Sequence, residues 1–499
     1  MKRFLSFLLL FCVFICAMSS CVSNDGDTAG TTAATAENAA TTAITTTATT
    51  IAETPAEPTP IVYNDEELYV GYARENISPK NPDGTLMDLA LPSSVEERAC
   101  QILGTELYAS CTAFKDSEGR IALFYSVDTT NFAGDVTTNF RNRISEATGV
   151  MTRMIVLNAT HTHTAPELHS EKHPQTNTYK NMIGDALVRA AQAAIEDLTL
   201  CDALYVGQID ASGLSFIRRY VTDENGNLAH ESEPDQHMPV ARFVREGKKD
   251  VIIANWAAHT DTLSAAKKKI TVSADYYEYF RRYVESKIDA YISIHMAASG
   301  DVNAVSKIPG EYEFPGTTGY GRALGVRLVE QIESLERIEI KSKILATAST
   351  LSLEVDHSTD YLLARAEEVK RLYSTDQAAF EAKCREYGFA TIHEANSIIS
   401  RAALGATQSC TVWAISIGNI AFAVVPYEMF AHNGKNIKSA SEFDLTFVCA
   451  YSNGSYGYIA SDYAYENGEY EVYKCRYVKG TAEILQDKII EMIAQLYNK

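Results

Sequence analysis

Short apolar runs recur along this chain, and each stops abruptly at a polar or helix-breaking residue. Ile121–Val127 stops at Asp128, Met154–Leu157 at Asn158, Val251–Ala254 at Asn255, and Ala421–Val425 at Pro426. Tyr291–Ile294 and Leu445–Val448 are two more such runs. Runs this short and this apolar suit buried strands. The stretches between them carry a helical period. Tyr179, Met182, Ile183, Ala186, Leu187, Ala190 and Ala194 share one face, and Phe140 to Ala147 is closed by Gly149. Asp275 to Ile288 reads as a helix. Tyr361 to Tyr387 and Ile392 to Ala403 form a mostly helical insertion, and Ile484, Leu485, Ile489, Ile493 and Leu496 mark a last amphipathic helix. Strands alternating with helices point to an α/β fold.

That pattern is absent from the start of the chain. Lys2 and Arg3 precede an apolar run from Phe4 to Met18, then Ser19, Ser20 and Cys21. A positive segment, a short apolar segment and small residues make 1–20 a signal peptide, and the run is shorter than the roughly 20 residues that span a bilayer. Met18-Ser-Ser-Cys21 resembles the bacterial lipobox, in which the cysteine becomes the lipidated N-terminus. Residues 21–60 are dominated by Thr and Ala and lack any aromatic residue. Such a segment buries too little apolar surface to offset its ordering entropy, so it reads as a disordered linker. The expected arrangement is a globular domain at 61–499, held outside the cell and tethered to the membrane through lipidated Cys21.

The net charge is −20, from 44 basic and 64 acidic residues. No basic cluster interrupts it, which argues against nucleic acid as a partner. Seven cysteines lie beyond Cys21, without the Cys-x-x-Cys spacing of a thiolate zinc site.

The chemistry gathers where the strands stop. Met154–Leu157 runs into His161 and His163, which would share a face on an extended backbone. Val251–Ala254 leads to His259 and Asp261, and Tyr291–Ile294 leads to Gly300-Asp301-Val-Asn303. Ala421–Val425 leads to Glu428, and Leu445–Val448 leads to a segment from Asn453 to Tyr458. Ligands in open α/β sheets bind beyond the carboxyl ends of strands. His161, His259 and Glu428 meet the minimum of N and O ligands for a catalytic zinc. His163 would then serve as general acid or base. Asp261 and Asp301 fit two roles equally, orienting a histidine or capping a helix. His169, His173 and His237 are expected at the surface, and His295 in the core.

These segments carry a resemblance. Val70-Gly-Tyr-Ala73, Ile77-Ser-Pro79, Asp128, Thr160-His-Thr-His163, Arg218-Arg219, Asn255-Trp-Ala-Ala-His259, Gly300-Asp301, Pro426-Tyr-Glu428 and Asn453 to Tyr458 follow in the order seen in the neutral/alkaline, non-lysosomal ceramidase family. The chain resembles that family's N-terminal catalytic domain across almost its whole globular region. The resemblance implies mixed β-sheets flanked by helices, with the active site at strand carboxyl ends. It implies Zn2+ held by His161, His259, Glu428 and Tyr458, with Tyr451, Tyr456 and Tyr463 as neighbouring candidates for the tyrosine. It places His163 beside the substrate carbonyl, and gives Arg218 either a site role or a structural one.

The chain departs from the family at one reactive position. Where ceramidases carry a serine implicated in catalysis, this chain has Asn303, and Asp301 stands beside it. The sequence also ends soon after the last helix, where ceramidases continue into an immunoglobulin-like domain. Two readings follow: a zinc-dependent hydrolase of linear amides acting through zinc-activated water, or a surface-tethered binding protein that has lost turnover. For either, the partner is a small-molecule or lipid-like amide.

Overall fold

A computed structural model describes residues 67–92, 98–169, 173–222, 226–263, 265–305 and 316–499. The signal, linker and Cys21 readings lie outside these residues. The labels used here are β1 (Tyr69–Asn76), β2 (Tyr108–Lys115), β3 (Ile121–Val127), α1 (Gly134–Thr148), β4 (Ile155–Ala159), α2 (Thr176–Glu196), β5 (Thr199–Asp210), β6 (His237–Arg245) and β7 (Asp250–Trp256). They continue with α3 (Tyr276–Lys287), β8 (Ala290–Met296), α4 (Gly316–Gln331), β9 (Ile344–Glu354), α5 (Leu363–Thr375), α6 (Gln377–Tyr387), α7 (Ile392–Ala402), β10 (Thr407–Ile417), β11 (Ile420–Val424), α8 (Ala431–Ser439), β12 (Leu445–Cys449) and α9 (Thr481–Tyr497).

A nine-stranded mixed sheet runs β8-β7-β6-β5-β1-β2-β3-β4, with Glu336–Ile338 paired to β5. Most neighbours are antiparallel, but β7/β8 and β3/β4 are parallel. The sheet curls until its two edges meet. Ser126 Oγ on β3 donates to the Ile294 carbonyl on β8 at 2.5 Å, and Asn158 on β4 exchanges hydrogen bonds with Met296 on β8. Helices cover the outside: Tyr125 OH donates to Leu187 O of α2, and Trp256 Nε1 donates to Tyr320 OH of α4.

The inner face holds Phe114, Phe124 and Phe243, which meet edge to face. A four-stranded sheet, β9-β10-β11-β12, packs into it. Phe422 of that sheet lies 4.3 Å from the Phe124 ring, and Phe447 stacks on Phe422 at 4.9 Å. Two buried asparagines stitch the sheets together. Asn158 Nδ2 donates to Ala450 O at 2.6 Å, and Asn255 Oδ1 accepts from Val448 N at 3.1 Å. A buried side-chain amide needs all its partners, so each fixes the register of the strand ends it joins.

In the second sheet β11/β12 is again a parallel pair. The three parallel pairs of the two main sheets therefore supply the strand ends that carry the polar segments. The helical insertion is three helices, α5 to α7, with a small core of its own including Val369, Phe380 and Ile398. Asp376 divides α5 from α6 and caps the second through Ala379 N. The seven cysteines beyond Cys21 are free thiols, and six of them are buried.

Candidate metal centre

The loop after β4 does not stay extended. His161 adopts φ 57, the left-handed region, so the two histidines are not on one strand face as expected. The turn still brings them together, with ring centroids 4.7 Å apart and planes 87° to each other. Threonines peg this loop. Thr130 Oγ1 donates to Thr162 O, Thr260 Oγ1 to Thr160 O, and Thr162 and Thr164 both donate to Ser273 O. The alternation of threonine with histidine is thus a set of anchors for two rings.

Each proposed histidine ligand has its tautomer fixed by a carbonyl. His161 Nδ1 lies 2.8 Å from Thr130 O, and His259 Nδ1 lies 2.8 Å from Ser299 O. A carbonyl only accepts, so in the neutral ring Nδ1 carries the hydrogen and Nε2 presents its lone pair. Burial pushes His259 down to about 4, with Arg218 adding to it against an opposing Glu428.

The two Nε2 atoms face Glu428. Its Oε2 is 3.5 Å from His161 Nε2 and 3.5 Å from His259 Nε2. Neither nitrogen has a hydrogen to offer there, and Oε2 is buried without a hydrogen-bond partner. His163 completes the cluster, its Nε2 3.2 Å from His161 Nε2. Nitrogens of His161, His163 and His259 all lie within 4.8 Å of one another. The inward atoms of His161, His259 and Glu428 form a buried set of acceptors with no donor among them, which is what a divalent cation fits.

Glu428 and Tyr458 are placed by a second device. Glu428–Met429 pairs in parallel with Tyr458–Ile459, and Glu428 sits opposite Tyr458 in the register. Tyr458 OH lies 3.5 Å from His259 Nε2 and accepts from Arg218 Nη2 at 2.9 Å. Of the four tyrosines left open by sequence, Tyr458 is the one whose hydroxyl reaches a histidine Nε2. Tyr451 instead lays its ring 4.1 Å from His161 and contacts Ser299 with its hydroxyl. Tyr456 packs on Tyr427, and Tyr463 donates to Asp301. Gly300 is required here: a Cβ on it would come 2.5 Å from Glu428 O.

The remaining residues divide. Asp261 stands 3.9 Å from His163 Nδ1, which has no hydrogen-bond partner, and is ion-paired with Lys268. Asp301 accepts from Ala431 N, the first residue of α8, and from Tyr463 OH, which is the geometry of a helix cap. Asn303 lies on the short strand Val302–Ala304, with its Oδ1 3.4 Å from Arg218 Nη1. Arg218 also donates to Gly300 O and Glu471, so the site role and the structural role fall to one side chain. His295 is buried in the core as expected, whereas His173, expected at the surface, is 9% exposed and 3.1 Å from Asp88. Sequence reasoning missed the Thr130 and Ser299 carbonyls, which no residue type signals, and Glu471. A cleft of about 60 Å³ reaches Glu428, with Thr129, Asn131, Leu168, Ser455 and Arg476 in its walls.

No family model matches this chain, and no curated protein matches it in sequence. Solved structures do. Neutral ceramidase from Pseudomonas aeruginosa aligns with a TM-score of 0.65 and 15% identity, over 87% of this chain and 75% of that one. A ceramidase complexed with C2 aligns with the same TM-score and identity, over 87% of this chain and 76% of its own. The large mixed sheet flanked by helices matches those structures, and this chain has a neutral ceramidase-like fold.

Proposed function

We propose that this chain is a zinc-dependent hydrolase that cleaves a linear amide, an N-acyl compound, with water. The observation that carries the reading is the convergence of His161, His259, Glu428 and Tyr458 from four strand ends in three parallel pairs, with lone pairs inward and no donor among the first three. A metal bound there supplies Lewis-acid polarisation of the acyl carbonyl and a lowered pKa for water. The protein's own groups do the rest. Carbonyl-fixed tautomers keep both Nε2 atoms aimed inward. His163 is kept neutral, chiefly by burial and then by His161 and Lys268. Its Nε2 therefore has room for the proton that water releases as its oxygen bonds to the acyl carbon. That proton passes to the nitrogen as the C–N bond breaks, leaving an acid and an amine. The ceramidase-like fold supports a lipid-like amide as the substrate class. In the same reading, Cys21 carries lipid and tethers the domain outside the cell.

Metal analysis of the purified protein, together with turnover on a panel of N-acyl amides, tests this. Zinc and amide cleavage should both be found, and both should vanish in His161→Ala. A metal-free protein whose His161→Ala variant behaves as wild type would remove the proposal.

A further inference from the structure

The departure from the family serine can be followed into the geometry. Asn303 directly follows Val302, whose carbonyl accepts from His259 N at 2.9 Å and lies 3.2 Å from His259 Nδ1. Its carboxamide faces Arg218 Nη1. A guanidinium has only donors, so the amide atom turned toward it must be oxygen. That sets an orientation that is otherwise ambiguous for asparagine, and leaves Nδ2 as the end turned away from the guanidinium. Among the described residues, Nδ2 has no hydrogen-bond partner. The same guanidinium touches Tyr458 OH through Nη2, so the amide stands beside the metal centre.

Arg218 is itself held. Glu471 Oε1 accepts from Arg218 Nε at 2.7 Å, while Oε2 accepts from Arg219 Nη1 at 2.8 Å. Arg219 is anchored further by Glu231 and by the Gly468 carbonyl. Both guanidinium planes are thereby fixed in a buried ion chain. A fixed plane aims its remaining donors, which is the property a bidentate arginine supplies and a lysine does not.

We propose that Asn303 is a catalytic amide donor to the substrate's acyl carbonyl, aimed by Arg218, which Glu471 holds as a second positioning residue. This rests on the hydrolase reading and specifies its path. As the oxygen of water bonds to the acyl carbon, the carbonyl electron pair moves onto oxygen. The Asn303 Nδ2 hydrogen meets that charge. When the pair returns, the C–N bond breaks and nitrogen keeps the proton from water. Asn303 neither gains nor loses a proton, and no bond forms between substrate and protein.

Two replacements of similar size test the donor. Asn303→Asp keeps an oxygen toward Arg218 and loses the N–H, and Asn303→Leu loses it without adding charge. Each should lower kcat about 10²–10³-fold, the range for one lost oxyanion donor, with KM changed less than about 3-fold. Metal content and Tm should hold. Glu471→Gln loosens that aim and weakens the Arg219 anchor with it, so kcat per folded molecule should fall about 10-fold with metal retained. A phosphonamidate analogue, titrated by calorimetry, supplies a readout without turnover: Asn303→Leu should weaken it about 10²-fold, following the lost kcat. Wild-type turnover, or wild-type analogue affinity, in Asn303→Leu overturns the proposal and leaves the hydrolase reading standing. So does an acyl adduct on the wild-type protein by mass spectrometry. A metal-loaded wild type that cleaves no amide defeats the hydrolase reading instead, and analogue affinity then still decides the role of Asn303.

Discussion

Two dense polar clusters are buried in this molecule, and they differ in one respect. Beneath α3, Arg281 pairs with Asp128 at 2.8 Å and with Glu278 at 3.4 Å, while Arg74 pairs with Glu285. Every charge there has an opposite charge beside it. At the candidate metal centre, His161, His163, His259 and Glu428 bring acceptors together and supply no cation. Arg281 and Asp128, at 2% and 0% side-chain exposure, are buried as deeply as the histidines. Charge balance tells a scaffold from a site.

The comparison breaks most visibly at the ligands. His259→Ala should lose bound metal and amide turnover together, while the apoprotein keeps its stability within about 1 kcal/mol, because an unsatisfied buried lone pair has been removed. Elemental analysis and chemical denaturation of the metal-free protein check both halves. Asp128→Asn should do the reverse. It takes from buried Arg281 the nearer of its two carboxylates, leaving Glu278 at 3.4 Å, and should lower stability by about 3 kcal/mol, with turnover per folded molecule unchanged. A loss of turnover without a loss of stability would place Asp128 in the site and erase the distinction.

Metal addition should raise the stability of the wild type by about 2.7 kcal/mol at a hundredfold excess over Kd, and a chelator should reverse it. Asp128→Asn should show the same increment, and His259→Ala none. A fourth measurement uses a histidine belonging to neither cluster. Burial depresses His295 to about 3 from 6.5. Its folded pKa lies below its unfolded one, so the unfolded chain takes the proton first. Stability from this group is complete above about pH 6.5 and declines as pH falls toward 3. Between pH 6.5 and 5 the decline should be about 2 kcal/mol, and His295→Phe should flatten that part of the denaturation profile.

How much of this was legible in sequence varies by kind of residue. The proposed ligands could be read because each follows a short apolar run, and the runs at β3 and β12 are visible within a residue of their bounds. The long antiparallel strands were not. β9 reads Ile-Leu-Ala-Thr-Ala-Ser-Thr-Leu-Ser-Leu-Glu, and only Ile344 and Leu353 of it are buried, so no apolar run announces it. The curl of the large sheet follows from edge contacts such as Ser126 with Ile294, which join residues far apart in the chain. Asp301 looked equally suited to orienting and to capping, because both need only a carboxylate. Which one it serves depends on where α8 begins.

The left-handed turn at His161 has a consequence for anyone engineering this protein. Five non-glycine residues adopt positive φ among the described residues, and Tyr451 and Asn453 are two of the others, both close to that ring or its loop. For a side chain bearing a Cβ, this region is worth about 1–2 kcal/mol less than the right-handed one. Glycine would relieve that strain at all three positions, but at Tyr451 it would empty a buried ring site, and at Asn453 it would break the buried hydrogen bonds to Leu157 N and Ile155 O. Selection for heat resistance alone would therefore press for glycine at His161, where it erases the centre, and hold the other two residues. Sequencing the survivors of such a selection, with and without an activity screen, would show whether durability and function pull His161 in opposite directions.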